Sequence, residues 1–149
     1  MLDMAEIKIL VADDFGIERR LIVNFLSKLG FHDLIEVGDG AEALRVLSKT
    51  KVVDLVISDW RMPRMSGLDL VTIMRKTEGL KQIPVLMITA EHQYGKVLEA
   101  VEAGVSNYIV KPFTIDILAA KIKKIFQKLD RVEDLGPVFN QKPEDTDQK

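Results

Sequence analysis

Val52 to Gly67 reads V-V-D-L-V-I-S-D-W-R-M-P-R-M-S-G, an apolar run that ends on the carboxylate of Asp59 and then turns. Branched Val56 and Ile57 suit a strand buried on both faces, and Pro63, Ser66 and Gly67 supply turn chemistry directly after it. Ser66, with Asp69 three residues on, fits a capping box, so a helix is predicted to open there. Asp59 therefore stands at the carboxyl end of a central strand, where open α/β sheets place their ligand sites.

The same plan recurs on either side. Ile7 to Ala12 is a short buried strand that stops on Asp13-Asp14. Ile17, Leu21, Phe25 and Leu29 follow at spacings of four, read as the apolar stripe of a helix with Glu18, Arg19, Arg20 and Lys28 on its wet side and Gly30 as its stop. A second strand covers Leu34 to Val37, and Asp39 with Glu42 resembles another capping box, opening a helix to about Ser48. After the Asp59 strand, a helix is predicted from Leu68 to about Lys76. Pro84 to Thr89 forms the fourth strand, and a helix from about Gln93 to Ala103 ends at Gly104. Tyr108 to Val110 is the fifth strand, closed by Lys111-Pro112, where a cis bond would aim the lysine. Leu118, Ile122, Ile125 and Leu129 mark the last helix, entered through Thr114 as N-cap. Five strands alternating with five helices imply a parallel sheet covered on both faces.

Composition narrows the functional classes. The chain has 149 residues, no cysteine, 30% charged residues and a net charge of −2. One domain is the expectation, with disulfides and thiolate metal sites excluded and a reducing, cytoplasmic setting the simplest fit. The charge is too small and too mixed to argue for nucleic acid or membrane as partners. No secretion signal or apolar run of spanning length is present. From Arg131 the pattern fails in Gly, Pro and acidic residues. We therefore expect a domain over 1–130 and a flexible tail over 131–149, in which Leu135, Val138 and Phe139 either pack back or dock.

Four of the five strands finish on a reactive type of side chain: Asp13 and Asp14, Asp59, Thr89, and Lys111. All carboxyl ends of a parallel sheet lie on one edge, so neighbouring first and third strands would bring three carboxylates into one crevice. Two like charges about 4 Å apart at an effective dielectric near 20 repel by roughly 4 kcal/mol. A helix cap returns only about 1 kcal/mol, so capping does not account for the cluster. A hard divalent cation does, because Mg²⁺ takes a few carboxylates, keeps waters and bridges to phosphoryl oxygens. Lys111 supplies a second counter-charge.

D-D at 13–14, S-D-W-R-M-P-R-M-S-G at 58–67, T-A-E at 89–91 and Y-I-V-K-P-F at 108–113 together resemble the receiver domains of two-component response regulators, in particular their single-domain chemotaxis members, over about Ile7 to Leu129. The resemblance, and not the periodicity, implies a flavodoxin-like (βα)5 three-layer sandwich with strand order 2-1-3-4-5. It makes Asp59 the phosphoacceptor, with phosphohistidine on a sensor histidine kinase as donor. Mg²⁺ would be held by Asp14, Asp59 and the Arg61 backbone carbonyl, with Asp13 acting through water. Lys111 and the Thr89 hydroxyl would meet the phosphoryl oxygens, and Thr89 and Tyr108 would form the switch. Implied partners are the kinase, a flagellar motor switch protein or other effector, and a phosphatase, with the chain a monomer.

One departure from the chemotaxis pattern stands out. Those members commonly carry a short amide two residues after the phosphorylated Asp, where this chain has Arg61. Paired with Glu91, Arg61 would cover the line of water attack and slow self-dephosphorylation. Beside these, Trp60 and Phe113 read as packing, and His32 and His92 as surface residues. Three other functions fit parts of the pattern. A phosphorelay carrier or the receiver half of a longer regulator keeps the chemistry. An Asp-nucleophile phosphohydrolase would usually want a second Asp where Arg61 stands. A flavin carrier would want hydroxyls where Asp13-Asp14 stand.

Overall fold

The computed structural model describes residues 4–50, 52–90 and 94–129. Glu91, His92 and the 131–149 tail lie outside the described residues. After a 3-10 turn at Met4–Glu6, five strands and five helices alternate: β1 Lys8–Ala12, α1 Gly16–Leu29, β2 Asp33–Val37, α2 Gly40–Lys49, β3 Leu55–Asp59, α3 Gly67–Arg75, β4 Val85–Thr89, α4 Tyr94–Ala103, β5 Asn107–Val110 and α5 Ile115–Lys128. All pairings are parallel and the order is β2-β1-β3-β4-β5, as the resemblance implied.

Alternation along the strands divides the core between the two faces of the sheet. Ile9 and Val11 of β1, Ile57 of β3 and Leu86 and Ile88 of β4 pack with α1 and α5, among them Leu26, Leu118, Ile122 and Phe126. Leu10, Ala12, Val56 and Val85 face the other way, onto α2 and α3 through Leu47, Leu70, Val71 and Met74. Met87 continues that second face to Trp60 and Ala100 of α4. Every residue of β3 and β4 is buried, which is why these segments are apolar without alternation.

The predicted caps are present. Ser66 Oγ accepts from the Asp69 N–H while Asp69 returns to the Ser66 N–H, and Thr114 accepts from the Ile117 N–H. Asp39 caps α2 through the Glu42 N–H, but the Glu42 carboxylate reaches Gly38 N–H rather than its own cap residue, so the box is displaced by one residue. Gly30 ends α1 in the left-handed region at φ 106°, which L side chains rarely adopt.

One expectation is corrected. The buried face of α1 is Ile22, Val23, Leu26 and Leu29, whereas Ile17 and Leu21 are 75% and 44% exposed. A strict spacing of four advances about 40° per step around a helix of 3.6 residues per turn, so such a stripe winds off the core. Only its later members, half-buried Phe25 and buried Leu29, reach the sheet.

Candidate functional site

Adjacent β1 and β3 end side by side, with Ala12 paired to Ser58, and this register delivers the three predicted carboxylates to one place. Asp13, Asp14 and Asp59 each offer an oxygen within 4.8 Å of the others. Asp13 is fully buried, Asp59 is buried and Asp14 is exposed, so the cluster opens to solvent on the Asp14 side. There a cleft of about 510 Å³ is lined by Asp14, Trp60, Arg61, Met62, Pro63, Ser66 and Lys96.

Each acid is held by its own set of contacts. The Asp13 N–H donates to Val37 O at 3.1 Å, its Oδ1 accepts from the Phe15 N–H at 2.9 Å, and its carbonyl accepts from Arg19 Nη1 at 2.6 Å. Its Oδ2 is buried with no hydrogen-bond partner among the described residues. The N-cap of α1 is Phe15, without a side-chain cap bond, so neither Asp13 nor Asp14 serves as that cap. Asp59 Oδ1 accepts from the Trp60 N–H at 2.8 Å, and Ser58 Oγ donates to the Asp59 carbonyl at 2.8 Å. Behind that carbonyl lies Gly67, whose N–H donates to Trp60 O at 2.8 Å. A Cβ on Gly67 would stand 2.2 Å from Asp59 O.

On the far side, the Lys111 N–H donates to Thr89 O at 2.8 Å, which ties the ends of β4 and β5 together. Lys111 Nζ lies 3.3 Å from Asp59 Oδ1 and also hydrogen-bonds Glu18 Oε1 of α1. Thr89 is buried at the last position of β4. Half-buried Tyr108 pairs with Met87 in the sheet, and its ring lies 5.3 Å beneath Lys121 Nζ. The Lys111–Pro112 bond is cis. Phe113 meets Phe25 edge-on at 5.9 Å, a packing role, and Trp60 packs with Met87 and Ala100 under Lys96. His32 is exposed.

The electrostatics follow from burial. Desolvation raises the Asp13 carboxyl to about 6; the Phe15 N–H opposes this, and the neighbouring Asp59 charge adds to it. Desolvation also raises Asp59 above the usual carboxylate range, with the Lys111 charge pulling the other way. Burial by itself would lower Lys111, but the Glu18 hydrogen bond and the Asp59 and Asp13 charges leave it raised. An unpartnered buried Asp13 oxygen beside two further carboxylates fits a hard divalent cation, since such ions take oxygen donors and offset the repulsion.

Thus Asp13, Asp14, Asp59 and Lys111 come together as the sequence suggested. Arg61 is exposed on the rim of the cleft, and Thr89 and Tyr108 stand on the β4–β5 side. The sequence reading missed three participants: Glu18, placed on the wet side of α1, Arg19, which braces Asp13, and Ser58. No local signal marks Glu18, because its partner is 93 residues away.

Residues 9–123 match the family model described as the response regulator receiver domain. The chain is 46% identical over 123 residues to chemotaxis protein CheY of Pseudomonas aeruginosa, covering 83% of this chain and 98% of the relative. It is 49% identical over 122 residues to chemotaxis protein CheY-3 of Vibrio cholerae, covering 82% and 93%. Among solved structures it is similar to chemotaxis protein CheY4 of Vibrio cholerae, with TM-score 0.74, 31% identity and coverage of 80% and 98%. The signal receiver domain of a histidine kinase from Syntrophus aciditrophicus gives TM-score 0.75 at 31% identity, covering 85% and 94%.

Proposed function

The chain belongs to the response regulator receiver domain family and is a two-component response regulator; from that premise we propose that Asp59 accepts a phosphoryl group from a sensor histidine kinase, and that the adduct changes which protein the chain binds. The observation that carries this is the meeting of Asp13, Asp14 and Asp59 within 4.8 Å, with Lys111 Nζ 3.3 Å from the proposed nucleophile.

Receiver domains generally bind Mg²⁺. Here Asp14, Asp59 and the Arg61 carbonyl would hold the ion, with Asp13 helping through water; when bound it supplies positive charge where phosphoryl oxygens gather negative charge. The chain's own groups do the rest. The Trp60 N–H orients the Asp59 carboxylate, and the close approach of Gly67 holds the backbone behind it. Lys111 meets an equatorial oxygen as a compact cation, and the Thr89 hydroxyl offers a donor from the end of β4. Thr89 and Tyr108 then change the β4–β5 side, a population shift set by new charge-assisted hydrogen bonds.

Likeness to CheY proteins supports chemotaxis as the pathway and a flagellar motor switch protein as the effector, with a phosphatase as a further partner. We take residues 1–130 as the receiver and 131–149 as a separate tail, working in the cytoplasm as a monomer; no helix among the described residues is long and apolar enough to cross a membrane. A phosphorelay carrier is the second reading, favoured by the likeness to a receiver from a histidine kinase. Transfer from the phosphorylated chain to a histidine phosphotransfer domain, against binding to a motor-switch peptide, separates the two.

The reading is tested by intact mass after incubation with acetyl phosphate. One alkali-labile phosphoryl adduct is expected with Mg²⁺ and none after chelation; no adduct, or one indifferent to Mg²⁺, defeats it. We further propose that Arg61, at the rim of the cleft, together with Glu91 slows hydrolysis of that adduct. Arg61→Asn should then decay about two- to fivefold faster, the span a rim charge supports. Equal or slower decay in the variant removes the role.

A further inference from the structure

Lys111 serves two carboxylates. Its ammonium hydrogen-bonds Glu18 Oε1, from the third residue of α1, and stands 3.3 Å from Asp59 Oδ1. The ammonium that pairs with Asp59 is thus shared with a second carboxylate, so its counter-charge is divided. The pair lies at the edge of the site, with the lysine side chain 18% and the glutamate side chain 37% exposed. An ion pair in that position is weak enough to exchange partners. Glu18 also fronts a cavity of about 390 Å³ with Leu21, Ile22, Ala90, Lys111 and Phe113, so the lysine has neighbouring space through which to move.

We propose that Glu18 is a positioning residue that holds Lys111 in the resting protein and competes with the incoming phosphoryl group for it, setting the rate at which Asp59 is phosphorylated. The inference rests on the phosphoacceptor reading above. In the step concerned, an Asp59 carboxylate oxygen forms a bond to phosphorus as the bond from phosphorus to the bridging oxygen of acetyl phosphate breaks. Acetate leaves with that electron pair, and neither Glu18 nor Lys111 gains or loses a proton. Negative charge concentrates on the transferring oxygens, and Lys111 reaches them only by loosening its bond to Glu18. The amide of Glu18→Gln still accepts a hydrogen bond but holds an ammonium less firmly than a carboxylate does.

The experiment is a time course of adduct formation by intact mass, with acetyl phosphate and Mg²⁺, on wild type, Glu18→Gln, Lys111→Met and the double variant. Glu18→Gln should label about fivefold faster than wild type, in keeping with an exposed-edge ion pair. In the Lys111→Met background the same substitution should change the rate little, because nothing is left to compete for. That coupling is a readout a merely structural role would not move, and melting curves verify that each variant is folded. Equal or slower labelling of Glu18→Gln, or an undiminished gain without Lys111, overturns this inference alone. Failure of the wild type to label at all overturns the phosphoacceptor reading, and this inference with it.

Discussion

Asp59→Asn is expected to take up no phosphoryl group under conditions in which the wild type carries one. The carboxamide is nearly the shape of the carboxylate, and its oxygen still accepts the Trp60 N–H that orients the wild-type side chain at 2.8 Å. It lacks the anionic oxygen that attacks phosphorus, and covalent catalysis fails without an activated nucleophile. Folding should survive, because Asp59 is buried at the end of β3 and burial already disfavours its charge. Intact mass and a melting curve on the same sample make the comparison. A variant that is folded and still labels to the wild-type extent would move the phosphoacceptor elsewhere. It would leave Lys111, 3.3 Å from the wrong carboxylate, without a role.

Asp13→Asn is expected to melt several degrees above the wild type at neutral pH without Mg²⁺. Asn keeps an oxygen for the Phe15 N–H and removes a fully buried charge. The sign follows from the raised pKa. The folded protein holds the Asp13 proton to about 6, against 3.8 for an unperturbed group. The folded state therefore binds more protons than the unfolded state between those values, and wild-type stability falls as pH rises through that window. Above it the deficit is complete, up to about 3 kcal/mol at 1.36 kcal/mol per unit. In a domain of this size roughly 1 kcal/mol moves Tm by a few degrees. Lowering the pH from 7 to 5 should narrow the gap between the two proteins, and saturating Mg²⁺ should close or reverse it by supplying the charge that Asn no longer needs. A variant that melts lower without Mg²⁺ at neutral pH would show that the buried Asp13 charge is not a net cost to the folded state.

What the sequence made legible was whatever its neighbours in the chain determine. Ser66 with Asp69 and Thr114 with Ile117 are local bonds, and both are formed. Asp59 at the end of a buried, mostly apolar strand is likewise a local fact, and parallel alignment of the strands then brings Asp13 and Asp14 to it. The α1 face was misjudged for a geometric reason: repeats of exactly four residues look regular in a row of letters but circle the helix, so Ile17 and Leu21 face water while Ile22 and Leu26 face the sheet. The Glu18–Lys111 bond and the Arg19 bond to the Asp13 carbonyl depend on how α1 lies over the strand ends. A glutamate in a first helical turn carries no mark to distinguish a partner across the fold from solvent.

The contact between Gly67 and the Asp59 carbonyl gives the site a direction. With no side chain between them, the start of α3 rests against the backbone of the proposed phosphoacceptor, and any recoil there would have to drag a whole helix. That flank behaves as an anvil. On the proposed reading, phosphorylation of Asp59 would then be answered on the opposite flank, through the single side chains of Lys111 and Thr89.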